Sequence, residues 1–158
     1  MLRSTLAVIA GYFAMAISIM VILILAWAAL GPQFAFQPGT LEATGIWMIL
    51  NVLVSLAGAI LGGFLTARID SRTDRRATKI LAVFVVVLGL AMAVGQTMTP
   101  PPETSPLEEA RQEGRTLSTM EAMSHARQPT WYAFLLPFLG ATGVIVGGRL
   151  WRAPASDA

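Results

Sequence analysis

Four stretches without a single charged side chain decide what this chain can fold into. They run from Thr5 to Leu30, Gly45 to Ala67, Ile80 to Met98 and Trp131 to Gly148, and every charged residue lies between or beyond them. At 1.5 Å per residue the longest would make a helix of roughly 39 Å and the shortest one of roughly 27 Å, against a hydrocarbon core of ~30 Å. Transmembrane barrel strands alternate apolar and polar residues in segments of ~10. The run from Ile80 to Leu90 contains no such alternation. With no water to satisfy an open strand edge, each segment must bond its own backbone, which only a helix does. The expected fold is an all-α membrane protein, a four-transmembrane-helix bundle forming one membrane domain over residues 1–158.

Composition agrees, with 55% hydrophobic and 13% charged residues against about a quarter charged in ordinary soluble domains. The absence of cysteine excludes disulfides, thiolate metal sites and lipidation through sulfur. Ala26-Trp27-Ala28 has the small-x-small form of a leader cleavage site. The block before it exceeds the ~7–15 residues of a leader's apolar region, so an uncleaved anchor is expected.

Direction follows from the basic residues beside the spans. Arg3, Arg68, Arg72, Arg75, Arg76, Lys79, Arg149 and Arg152 share one side of a four-span protein, and Arg111, Arg115 and Arg127 lie on the other. Cytoplasmic segments carry the excess of Lys and Arg, which puts both termini and the loop 68–79 in the cytoplasm of an inner (plasma) membrane. The cluster reads as a topology signal that suits anionic lipid headgroups, not as a nucleic-acid surface, and the loop is too small for a nucleotide or regulatory-protein site. Trp27, Trp47, Trp131 and Tyr132 fall at the outer ends, where amphipathic rings favour the interface. The first outer loop, residues 31–44, reads as a turn whose Phe34 and Phe36 reach the headgroups.

The outer segment 99–130 is longer. Pro100-Pro101-Pro102 ends the third span, and Glu108 and Glu109 follow Pro106 as in a helix start. Leu107, Ala110, Leu117 and Met120 recur at helical spacing, predicting a short amphipathic helix broken at Gly114.

The spans themselves carry stripes of small residues. Asn51, Ser55, Gly58, Gly62 and Thr66 succeed one another at steps of three or four, as do Gly140, Gly143 and Gly147. Such spacing places each set on one helical face. Both sets contain GxxxG, at Gly58–Gly62 and Gly143–Gly147, each followed by a second glycine. Ala7, Gly11, Ala14 and Ser18 form a weaker stripe on the first span, and Ala82, Gly89, Ala93 and Gln96 one on the third. In lipid, small residues let helix backbones approach closely, so these stripes mark the bundle interior. The likeness of second and fourth spans suggests two helical hairpins in parallel orientation, by duplication or by convergence on one packing rule. Asn51 and Gln96 form a candidate intramembrane polar pair at similar depth. Either they bond each other, or Asn51 bonds its own helix backbone and Gln96 reaches the interface.

The segments Pro129-Thr130-Trp131 and Gly140-Ala-Thr-Gly-Val-Ile-Val-Gly-Gly-Arg149 resemble small, uncharacterised four-span bacterial membrane proteins. The resemblance implies a bacterial inner membrane and brings no activity or catalytic residue.

Chemistry is sparse. None of the four apolar blocks contains Asp, Glu, His, Lys or Arg, and the loops hold no P-loop, zinc or nucleotide motif. Met120-Glu-Ala-Met-Ser-His125 offers thioether and imidazole, but one His without Cys is an incomplete set, so no metal and no cofactor is expected. The expected function is therefore non-enzymatic: a self-associating protein or an accessory subunit of a membrane complex, with the lipid bilayer and a membrane partner or second copy as its contacts. The alternative is a component of a transporter or channel for a neutral solute.

Overall fold

The computed structural model describes residues 2–37, 42–70, 76–98, 112–114 and 129–151. Its named helices are α1 (Leu2–Leu30), α2 (Pro32–Ala35), α3 (Gly45–Asp70), α4 (Arg76–Met98) and α5 (Thr130–Leu150). All but the short α2 are long and apolar enough to cross a membrane. The only strand-like pairing among the described residues is an isolated antiparallel bridge between Phe36 and Ala43. Each long helix overruns its charge-free block, reaching Asp70, for example, where the sequence suggested an end at Ala67. Intrahelical hydrogen bonding does not stop where the hydrocarbon does.

α3 packs most extensively, on α5 and on α1, and α4 packs on α5. A smaller seam between α1 and α4 closes the ring, giving the order α1, α3, α5, α4. The second and third spans, α3 and α4, meet only slightly, so they are not the neighbours that an Asn51–Gln96 pair requires. Contacts along α1 and α3 run in opposite senses, from Ser4 with Asp70 through Gly11 with Gly62 to Trp27 with Trp47. Along α3 and α5 they rise together, from Met48 with Tyr132 to Ile60 with Gly147. Ala59, Met15, Leu81, Ala82 and Val144 form the central apolar cluster. Outside it stand Phe13, Leu25, Leu53, Val83, Val87 and other large apolar side chains, more than a third exposed. Water would penalise that surface; hydrocarbon does not.

The end of the bundle opposite Asp70 is folded more tightly than a lipid-touching turn. Gly31, at φ +75°, ends α1 in the left-handed conformation that glycine adopts without a Cβ clash, and its N–H donates to Trp27 O at 2.9 Å. Thr44 then fixes the loop to α3. Its hydroxyl donates to Phe34 O at 2.7 Å and accepts the Trp47 N–H at 3.1 Å, capping the helix start. Phe36 is buried instead of reaching headgroups: its ring lies 5.6 Å from that of Trp27, which lies 5.8 Å from Trp47. Trp47 and Tyr132 are likewise buried, and of the aromatics at this end Trp131 points outward as an interfacial ring would. Gly114 has φ +66°. The rest of the expected loop helix, and the Met120–His125 cluster, lie outside the described residues.

Candidate functional site

The five glycines singled out in the sequence all sit against a neighbouring helix, but not the same one. A Cβ added to Gly58 would lie 2.5 Å from Ile19 Cγ1, and one on Gly62 would lie 2.7 Å from Gly11 O, both on α1. A Cβ on Gly143 would lie 2.8 Å from the Ala59 Cβ, and one on Gly147 would overlap Ile60 O and lie 2.7 Å from its carbonyl carbon, both on α3. Gly140 instead faces Val85 of α4, at 3.1 Å. Ile60 thus presents its backbone carbonyl to α5.

The second glycine of each doublet serves the other flank. A Cβ on Gly63 would overlap Val144 O on α5, and one on Gly148 would collide with the Thr78 side chain on α4. Consecutive residues on a helix differ by about 100° around its axis. Two helices packed on adjacent sides of a third differ by a similar angle. Gly62-Gly63 and Gly147-Gly148 thus each open two seams at one level. On α4, Gly89 makes room for the Pro137 ring, 2.5 Å from where its Cβ would be. Sequence spacing showed which positions were small, while the doublets' second members carried a signal that a single-face reading left unused.

The structure does not bring Asn51 and Gln96 together. Asn51 Nδ2 donates to Trp47 O at 2.9 Å, one turn back on its own helix, and Gln96 is exposed near the end of α4. Thr66 and Thr142 also bond carbonyls one turn back, at 2.8 Å each. Lipid-embedded hydroxyls and amides find acceptors there when no partner helix offers one.

The polar group that sequence reasoning missed is Asp70. The stripe Gly58, Gly62, Thr66 continues by one more step of four to Asp70, which the assumed end of the span at Ala67 cut off. It is 3% exposed. Ser4 Oγ donates to its Oδ1 at 2.8 Å, and Arg3 Nε donates to the neighbouring Ile69 O at 3.0 Å. The first turn of α1 thereby caps the last turn of α3, where carbonyls lack intrahelical donors and a cation is favoured. Asp70 Oδ2 and, at the start of α4, Thr78 Oγ1 are buried without a hydrogen-bond partner among the described residues. No group of three or more His, Cys, Asp or Glu suited to a metal occurs among the described residues.

No known protein family, curated protein or solved structure matches the chain.

Proposed function

We propose that this chain is a non-enzymatic protein of a bacterial inner membrane that acts by association, with copies of itself or as an accessory subunit of a larger membrane complex. The observation that carries this reading is the close backbone packing of α3 on α5. Gly63 lies against the Val144 carbonyl and Gly147 against that of Ile60. Backbone occupies the space between α3 and α5 that a solute path or a substrate would need. The helix-packing glycines hold the seams, and the two hairpins α1–α3 and α4–α5 lie in parallel orientation, a reading supported by the paired rise of contacts along α3 and α5.

Crosslinking in native membranes, followed by purification in a mild detergent, tests the association. A discrete homo-oligomer or a constant membrane partner is expected. Saturable uptake of a neutral solute into proteoliposomes, without such an assembly, would replace this reading with a transporter or channel component.

Both termini and the basic loop 68–79 are assigned to the cytoplasm, from eight basic residues on that side against three on the other. The native chain contains no cysteine, so single introduced thiols report cleanly. A membrane-impermeant maleimide should label Ser118→Cys in intact cells and Thr73→Cys only after permeabilisation. The reverse pattern would overturn the orientation.

A further inference from the structure

The face of α3 that meets α1 ends in a carboxylate with one oxygen unaccounted for. Asp70 Oδ1 accepts the Ser4 hydroxyl at 2.8 Å, whereas Oδ2 is sealed from solvent and receives no hydrogen bond among the described residues. A buried carboxylate oxygen without a donor is strongly disfavoured, so a positively charged or donating partner is expected at Oδ2. The surroundings point the same way. Asp70 is the last residue of α3, the negative end of the helix dipole, where terminal carbonyls lack intrahelical donors.

The two side chains joined here offer hard oxygens, those of a carboxylate and of a hydroxyl that donates only once. Oxygen donors of this kind select alkali and alkaline-earth ions over soft metals. Charge decides between those two classes. The exposed Arg3 side chain, whose Nε donates to Ile69 O at 3.0 Å, already sets one positive charge beside Asp70, so the single charge of a monovalent ion is tolerated better there than the two of a divalent one.

We propose that Asp70 Oδ2, with Ser4 Oγ beside it, forms a binding site for a monovalent alkali cation, sodium or potassium, at the junction of the first turn of α1 and the last turn of α3. Binding ties the two helix ends together and so stabilises the bundle. This inference goes beyond the association reading and does not depend on it, because its readout is the stability of the single chain.

Thermal unfolding of the full chain in detergent tests it, at constant pH and constant ionic strength, with sodium or potassium chloride replacing N-methylglucamine chloride. A saturable rise of several degrees in Tm is expected for the native protein. Asp70→Asn should abolish the rise, and Ser4→Ala, which keeps the carboxylate, should raise the half-saturating concentration several-fold. If Asp70→Asn does not fold, sodium NMR line broadening by the native protein, reduced in Ser4→Ala, supplies the same decision. A Tm indifferent to the alkali ions, an equal response in native protein and Asp70→Asn, or stabilisation by magnesium or calcium alone would overturn the site.

Discussion

Replacing Gly147 by alanine should separate α5 from α3 at its most crowded point, with a loss of about 3 kcal/mol or more. Overpacking by a methylene typically costs about 1–3 kcal/mol when side chains can shift. Here the obstacle is backbone: the new Cβ would overlap Ile60 O and lie 2.7 Å from its carbonyl carbon and 2.9 Å from its Cα. Relief requires moving a helix. Gly63→Ala, against the Val144 carbonyl on the same seam, should behave alike. Gly95→Ala is the control, since its Cβ would meet nothing within 4 Å. It should be neutral, or stabilising by up to ~1 kcal/mol through helix propensity alone. Unfolding titrations in mixed SDS and mild detergent would measure all three. Equal midpoints for Gly147→Ala and Gly95→Ala would show that α3 and α5 do not approach through these glycines.

The second large loss is expected at the other end of the bundle. Trp47→Ala removes a side chain that is 8% exposed and joins Trp27 of α1 to the folded loop carrying Ala35, Phe36 and Ala43. Truncating a buried aromatic costs about 3–5 kcal/mol in soluble cores. The lower figure, about 3 kcal/mol, suits an interfacial cluster whose unfolded reference still lies in lipid or detergent. Thr44 would keep its backbone bond to Ala35 O, but the first hairpin would lose the contact that closes its tip. Trp131→Ala, which removes a 62% exposed ring, should change little. Comparable losses for the two variants in the same titration would contradict the inward placement of Trp47.

These two predictions rest on different levels of the molecule, and the sequence was not equally informative about them. That Gly147 stands in a stripe was legible, because a step of four residues keeps side chains on one helical face whatever surrounds them. That Trp47 turns inward was not. A tryptophan at the end of an apolar block suits the membrane interface equally well. Its burial depends on the loop returning through Gly31 and Thr44 to place Phe36 and Ala43 above it, a tertiary event. Asp70 was missed for a related reason. Hydropathy marks where lipid ends, and the helix continues past that point to where Ser4 and Arg3 can cap it.

By itself the sequence determined that four segments are helical and long enough to span a bilayer, because charge-free runs in hydrocarbon have no other way to satisfy their backbone. It also determined which positions are small enough to admit a neighbouring backbone. Which neighbour each position meets was decided only in the folded bundle. All four long helices are apolar around most of their circumference, so no hydrophobic face singles out a partner, and close packing of shapes makes the choice. Thus Gly62 meets α1 while Gly63 meets α5, and Gly147 meets α3 while Gly148 meets α4. Adjacent letters in the chain face different helices because one residue turns the helix by about 100°.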